Sequence, residues 1–261
     1  MPVKEGKIWW QYTVNSFQQI LLNKIAVVFL MLGKIIRIAL FFIFLMFLFQ
    51  GAKTLAGYNR NQIIFFYLSF NLVDTFAQLF FREVYRFRSM VVSGSFDFYL
   101  VKPMNPLIRI LLGGTDLMDL LILILIIITT VWFATANNLI SSPWQWGLYL
   151  ILVLNSLLIA AAFHISVLGV GIMTTSVDHL IMIYRDFSSM LRIPVDLYTE
   201  PIRFLLTFAL PLGIMITFPA KALLGILSPS LFLISLLFGA VSLFLSLKFW
   251  SFALKKYTSA S

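Results

Sequence analysis

The chain has 261 residues, of which 61% are hydrophobic and only 11% are charged, and its net charge is +9. This apolar content exceeds what one soluble core could bury, so the composition excludes an ordinary water-soluble domain and indicates an integral membrane protein. The absence of cysteine excludes disulfides and thiolate chemistry. A nucleic-acid partner would require basic residues on one folded face. Here they lie between apolar blocks, as they do at the cytoplasmic flanks of membrane spans.

The first predicted element is an amphipathic helix over residues 7–33. Polar side chains recur every three to four positions, at Gln11, Asn15, Gln18 or Gln19, and Asn23. A helix with one polar and one apolar face lies along the membrane surface rather than across it. A plain first span is the alternative for this segment.

Six membrane spans are predicted from the apolar blocks and the charges that separate them. The most direct sign is the stretch 120–177, which contains no Asp, Glu, Lys or Arg. It has room for two spans of roughly 20 residues with a turn between them. The first four spans are predicted at 35–52, 62–81, 107 or 111 to 136, and 144–173. The sixth is predicted at 231–247, and the fifth has two candidate locations.

The fifth span has two candidate locations. Hydropathy alone places it at 202–218, which is apolar but contains Pro211 and Gly213. The alternative makes the more polar segment 176–193 the span, buried among its neighbours. The apolar piece is then a re-entrant hairpin, which is tolerated only where protein covers its backbone. The residues themselves leave both locations open.

The distribution of basic residues predicts a multi-pass protein with both termini in the cytoplasm. When the hydropathy assignment is used, all of the 19 basic residues except Lys53, Arg60 and Lys221 fall on the cytoplasmic side. Lysine and arginine are retained on that side of the membrane, and the inverted topology would reverse the bias.

The loop between spans 2 and 3, residues 89–109, carries the most specific pattern. Gly94 and Pro103 interrupt any continuous helix, and Ser95 or Asp97 can cap a short helix between them. We expect this helix to lie flat on the cytoplasmic surface. Neither a span nor a solvated loop requires its aromatic residues, which therefore favour a docking protein: Phe96, Phe98 and Tyr99.

Polar residues inside the predicted spans are candidates for transport chemistry. Asn71, Asp74 and Gln78 share one face of span 2, and a carboxylate at that depth faces water or partner helices. The face could line a translocation path or form a structural hydrogen bond between helices. Asp116 and Asp119, near the start of span 3, could form a cation or proton site or pair with nearby arginines.

His164 in span 4 is predicted to be a hydrogen-bonded core residue. No second histidine or carboxylate stands at metal-ligand spacing from it.

The loop sequence GSFDFYLVKPMNP resembles the membrane subunit of bacterial ABC-2 type exporters, in the subgroup described as ABC-2 family transporter proteins. That subgroup carries a Gly-x-x-Asp-x-x-Leu-x-(Lys or Arg)-Pro pattern in the same loop. The phrases IPVDLY and FPAKALLG before the last span are a second likeness. The resemblance covers the whole chain, 1–261, as one transmembrane domain, and the loop pattern is met by Gly94, Asp97, Leu100, Lys102 and Pro103.

This resemblance implies a specific architecture. Residues 7–33 would be the elbow helix, 176–193 the fifth span and 201–220 a re-entrant hairpin. The loop 89–109 would hold a coupling helix seated in a separate ATP-hydrolysing subunit. The coupling residues would be Gly94, Phe96, Asp97, Phe98, Tyr99, Lys102 and Pro103.

The resemblance also implies the partners and the location. Two permease copies, identical or homologous, would enclose the pathway in the bacterial inner membrane, surrounded by lipid, with ATP and Mg²⁺ bound to the partner ATPase. The sequence has no Gly-x-x-x-x-Gly-Lys-(Ser or Thr) phosphate loop. We therefore expect no catalytic, cofactor or metal site on this chain and no nucleic-acid partner.

An ATP-driven exporter of an amphipathic or lipid-like compound is the leading functional hypothesis. A proton-coupled secondary transporter is the alternative, although such proteins usually show internal repeats. Intramembrane enzymes are disfavoured because the sequence lacks their motifs. The relay candidates of the secondary transporter would be Asp74, Asp116, Asp119 and His164.

Overall fold

The computed structural model describes residues 24–113, 117–174 and 177–258, together with Val14 and Gln18. Within this part, five helices are long and apolar enough to cross a membrane. A helix pair bent by 89° raises the number to six if it counts as one span. The predicted class, an all-α membrane protein, is confirmed.

Helix α1 (Lys24–Gly51) is continuous through the predicted boundary at Gly33. Most of the predicted elbow helix, residues 7–23 apart from Val14 and Gln18, lies outside the described residues. Residues 24–33 of the predicted elbow helix belong to α1 and do not form a separate helix. Apolar residues on both sides of Gly33 continue the helix, and a single glycine costs a helix only about 1 kcal/mol.

Helix α2 (Arg60–Phe81) is the central helix and is mostly buried. It follows a two-stranded hairpin of β1 (Thr54–Leu55) and β2 (Tyr58–Asn59). Asn59 and Gln62 bond to each other's backbone amides in a capping box, which explains why the helix begins here. A 3₁₀ turn (Arg82–Arg86) and α3 (Phe87–Val92) continue the chain.

The short helix predicted in the loop is present as α4 (Asp97–Leu100). The predicted third span is divided into α5 (Pro106–Leu112) and α6 (Leu117–Ala136). Helix α5 begins at Pro106, whose missing amide is tolerated in a first turn, and Gly113 follows its end. The span proper is therefore α6. Asp116 lies outside the described residues.

Helices α7 (Trp144–Thr174) and α11 (Pro229–Lys255) form an extensive pair. The amide of Asn155 donates to the carbonyl oxygen of Ser235 at 2.9 Å. A Cβ on Gly169 would lie 2.6 Å from Phe249 Cε1. Glycine is thus required at this position because the two helices approach so closely.

The two ends of the bundle are identified by the residues that they hold. We call the end that holds Arg82, Arg86 and Arg88 the basic end. At the opposite end, Asn61 donates to Asn137 at 2.9 Å, which joins the start of α2 to the end of α6.

Helix α8 (Val177–Met190) and the 3₁₀ turn after it (Val195–Leu197) connect these two ends. Asp178 is paired with Arg88 at the basic end. Asp196 accepts a hydrogen bond of 3.0 Å from Tyr58 at the opposite end. These contacts favour 176–193 as the fifth crossing of the membrane.

The segment that follows begins and ends at the opposite end. It consists of α9 (Ile202–Phe204), a π-helical turn (Leu205–Ala209) and, after the 89° bend, α10 (Leu212–Leu223). Lys221 returns to Asp196 at 2.8 Å. Ser156 in the middle of α7 donates to the carbonyl oxygen of Met215. This path has the geometry of the predicted hairpin at 201–220.

Candidate docking loop and intramembrane polar site

Phe96 anchors the loop at the basic end. Its side chain is completely buried, and its ring lies edge-on to Phe87 at 5.2 Å and to Tyr257 at 5.1 Å. Its amide donates to the carbonyl oxygen of Met90 at 3.0 Å. Edge-to-face aromatic pairs add to the free energy of burial. Phe96, predicted to contact a partner, therefore positions the loop from inside.

Asp97 joins the loop to the end of the last helix. Tyr257 donates a hydrogen bond of 2.8 Å to Asp97 Oδ1. Burial, this hydrogen bond and the charge of Asp97 raise the pKa of Tyr257 to about 12. The predicted cap of α4 by Ser95 or Asp97 does not form: Ser95 donates to Met90, and α4 has no side-chain cap. Both side chains instead bond outside α4.

Gly94 makes the turn into the loop. Its φ of +70° lies in the left-handed region, which other residues enter only with strain. Its carbonyl oxygen accepts from the amide of Asp97 at 3.1 Å. The prediction that Gly94 interrupts the helix here is confirmed.

Tyr99 lies half-buried between two cations. Lys102 Nζ is 5.1 Å and Arg109 Cζ is 5.4 Å from the centre of its ring, both within the range of cation–π attraction. Arg109 also approaches Glu83 at 4.0 Å. The contact with Arg109 of α5 therefore links Tyr99 to the bundle, whereas Lys102 belongs to the same loop as Tyr99.

Phe98 and Val101 form the exposed apolar part of the loop. Phe98 is 68% exposed and Val101 is 80% exposed, and Lys102 and Pro103 beside them are exposed as well. Phe98 lies on α4, Val101 is the residue that caps the end of this helix, and Lys102 follows it, so the three exposed side chains are close along the chain. Sequence reasoning missed Val101, although its spacing of three from Phe98 was a usable signal.

Asp119 is neutralised at the basic end. Its carboxylate is buried and pairs with Lys34 of α1 and with Arg82, the latter at 3.0 Å. Of the two roles left open by the sequence, pairing with basic residues is the one observed for Asp119. Three segments of the chain are thereby joined.

Asn71, Asp74 and Gln78 share one face of α2, as predicted. Gln78 Nε2 donates to Asp74 Oδ2 at 2.7 Å, and Asn71 donates to the carbonyl oxygen of Tyr67. The three line a recess together with arginines from α1 and from α8 and the residues after it. The sequence did not reveal these partners of the acidic face. We call this site the arginine recess; its charged members are Arg37, Asp74, Arg185 and Arg192.

His164 is a buried core residue, as predicted. Its Nδ1 lies 2.8 Å from the carbonyl oxygen of Ala160, one turn earlier on α7. Phe81 and Tyr184 contact its ring at 5.1 and 5.2 Å. The histidine is therefore bonded within its own helix.

A family model described as ABC-2 family transporter protein matches residues 17–261. The chain belongs to this family. It is accordingly a membrane permease of an ABC transporter and a multi-pass membrane protein. The family is a membrane component of transport that is not itself catalytic, and membership implies an ABC ATPase as partner. Comparisons with characterised proteins and with solved structures gave no match.

Proposed function

We propose that the permease is one half of an ATP-driven exporter that moves an amphipathic or lipid-like compound outward across the bacterial inner membrane. ATP and Mg²⁺ would bind to the partner ATPase. A second permease, identical or homologous, would complete the pathway. Membership of the family supports the role of a permease, and three features of the described residues support the proposal of an exporter.

The single observation that carries the proposal is the exposed surface of Phe98 and Val101. Two neighbouring, largely exposed apolar side chains at the basic end of the bundle indicate a protein contact. Buried aromatic side chains are common anchors of such contacts. Because an ABC permease acts with an ATPase, this surface is the favoured docking point.

The support beneath this surface is packed against other parts of the protein. Phe96 is wedged between Phe87 and Tyr257, while Tyr99 is held by two cations. A docking element that transmits movement must not collapse against its own support. The buried half of the coupling segment therefore supplies stiffness, and the exposed half supplies recognition.

The outer faces of α1 and α11 support a second permease or lipid as neighbours. Large apolar side chains remain exposed along both helices, for example Phe47 at 67% and Leu233 at 65%. Such a surface requires either hydrocarbon or another protein. A path for cargo would be completed between two copies.

The described residues do not favour the proton-coupled alternative. Asp119 is held by two cations, and His164 bonds to its own helix. A relay requires groups that can exchange protons with each other. Asp74 remains a polar site, and its role is taken up below.

The test is co-purification of the permease with its ABC ATPase. Phe98→Ala should lower recovery of the ATPase at least tenfold, because truncation of an anchor residue costs about 2 kcal/mol or more of binding free energy. Phe204→Ala, an exposed phenylalanine on α9 at the opposite end, is the matched control and should leave recovery unchanged. Equal recovery with both variants would refute the docking role.

Export itself is tested with inverted membrane vesicles. ATP should drive uptake of cargo into these vesicles when the ATPase is present, and Phe98→Ala should abolish it. Uptake driven by a pH gradient without ATP would refute the exporter assignment and favour the secondary transporter.

A further inference from the structure

Two neighbouring cavities among the spans differ in chemistry and share a wall. The larger, with a volume of about 820 Å³, lies between α1, α2 and α6 and is lined mainly by apolar side chains such as Ile38 and Ile126. We call it the apolar chamber. The arginine recess is the smaller cavity, of about 50 Å³. Tyr67 and Asn71 line both cavities, so the combined site is amphipathic.

The arginine recess carries surplus positive charge. Its charged members are three arginines and one aspartate. Arg37 and Arg185 attract Asp74 electrostatically, while the nearest bond of that carboxylate is to Gln78. Within ranges 24–113, 117–174 and 177–258, no carboxylate forms an ion pair with Arg37, Arg185 or Arg192.

Two of these arginines lie within helices that line the recess, and Arg192 lies in the turn that follows α8. Arg37 is near the middle of α1, and Arg185 is near the middle of α8. The guanidinium of Arg192 lies 5.6 Å from the ring centre of Phe41, so it is directed toward α1. Arginines inside spans face cavities or partner groups rather than hydrocarbon. An anion in the recess would balance the surplus.

The size and lining of the apolar chamber fit the other half of such a ligand. Ligand cavities commonly measure about 300–1,000 Å³ and are mostly apolar, with a few placed polar groups. The chamber provides the apolar volume and the recess provides the polar groups. Arginine is well suited to phosphate and carboxylate because its planar fork donates two parallel hydrogen bonds.

We infer that the cargo is an anionic amphiphile whose acidic head group binds Arg37, Arg185 and Arg192 and whose apolar body occupies the chamber. This inference rests on the proposed transport function and narrows its substrate class. The role of the Asp74 face is then to orient the arginines within the site, through attraction and through the bond to Gln78.

The test uses the full permease with its ATPase in nanodiscs of phosphatidylcholine, with hexadecyl phosphate as the probe. Equilibrium binding of this probe should be saturable. Hexadecanol, which has the same chain without the charge, and inorganic phosphate, which has the charge without the chain, should each bind at least tenfold more weakly. Equal binding of hexadecanol would overturn the inference.

The head-group site is tested by replacing its arginines. Arg37→Gln and Arg185→Gln should each weaken binding of hexadecyl phosphate about tenfold, and Arg37→Lys should restore part of it. Lys248→Gln removes one positive charge from another membrane helix and should bind like wild type. Unchanged binding by both arginine variants would overturn the inference.

The chamber is tested by Ala39→Phe, which adds a ring to its lining. This variant should weaken binding of hexadecyl phosphate at least fivefold. Leu40→Phe, at an exposed neighbouring position outside the lining, is the control and should not. Size-exclusion profiles and thermal unfolding midpoints show whether each variant is folded, and equal binding by the two variants would contradict the chamber's role.

Two further results would each show that something other than cargo occupies the site. If phosphatidylglycerol displaces the probe at equal concentration and ATP releases neither, the site holds a resident lipid and the cargo assignment is overturned. If Arg37→Cys forms a disulfide between two permeases, and excess probe does not lower the yield of this disulfide, a second copy fills the site. Retained coupling through Phe98 in either case would leave the exporter proposal intact.

Discussion

Tyr257 donates a hydrogen bond of 2.8 Å to Asp97, across 160 positions of the chain. The contact fastens the end of α11 to the short helix that presents Phe98. The loop between the second and third spans is therefore also held by the last span.

Tyr257→Phe should weaken coupling to the ATPase while the permease remains folded. Loss of one hydrogen bond costs about 1 kcal/mol, and the phenyl ring retains its packing on Phe96. We expect lower ATPase stimulation by cargo with unchanged membrane insertion. Stimulation equal to that of wild type would contradict a mechanical role for the contact.

The same contact predicts a dependence on alkaline pH. The pKa of Tyr257 is about 12 in the folded state and about 10 in the unfolded chain. Between these values the folded state binds more protons, so the stability from this group is present below pH 10 and is lost as the pH rises toward 12. The difference in thermal unfolding midpoint between wild type and Tyr257→Phe should shrink over this window. A constant difference would contradict the prediction.

Phe96→Ala and Phe98→Ala should separate support from recognition. Removal of the buried ring of Phe96 leaves a cavity and should cost about 3–5 kcal/mol of unfolding free energy. Removal of the exposed ring of Phe98 should cost no more than about 0.5 kcal/mol. Denaturation of the permease without its ATPase measures both effects, and similar losses would show that Phe98 is also structural.

Asp119→Asn should be much more damaging than Asp178→Asn. Asp119 is buried between two cations, and its replacement removes the carboxylate that Lys34 and Arg82 share, at an expected cost of about 3–5 kcal/mol. The pair of Asp178 with Arg88 is roughly half exposed, and such pairs contribute about 0–1 kcal/mol. Thermal unfolding of the two variants gives the comparison. A larger loss for Asp178→Asn would be inconsistent with the observed burial.

The hairpin topology can be tested in the cysteine-free background of this chain. Thr199→Cys lies at an exposed position next to the turn that carries Asp196. An impermeant maleimide should label it in intact cells, whereas Ser93→Cys at the basic end should react only after the membrane is opened. Labelling of Thr199→Cys only from the cytoplasmic side would place the fifth span at 202–218 instead.

The positions of most spans could be predicted because each is a long apolar block bounded by charged or turn-forming residues. Hydropathy could not locate the fifth crossing, since α8 is polar and its partners become visible only in the fold. The ion pair of Asp178 and the hydrogen bond of Asp196 separate the alternatives. Gly33 was a misleading boundary because a glycine surrounded by helix-forming residues does not stop a helix.

The candidate sites were only partly predictable for a similar reason. The loop pattern indicated the segment that we propose as the docking site, but the alternation between buried Phe96 and exposed Phe98 depends on Phe87 and Tyr257 from other parts of the chain. The arginine recess combines residues of α1, α2 and the segment that begins with α8. Only the polar residues of α2 recur at helical spacing within one segment, so only this part of the recess could be predicted from the sequence.

The aromatic packing of Phe96 against Trp250 and Tyr257 has a mechanical consequence. A force applied at Phe98 would be borne by α3 through Phe87 and by the final helix through Trp250 and Tyr257. The long interface of α11 with α7 would then distribute it. We therefore expect the stroke of the motor to tilt this helix pair as a lever, while the two spans that flank the loop along the chain follow it.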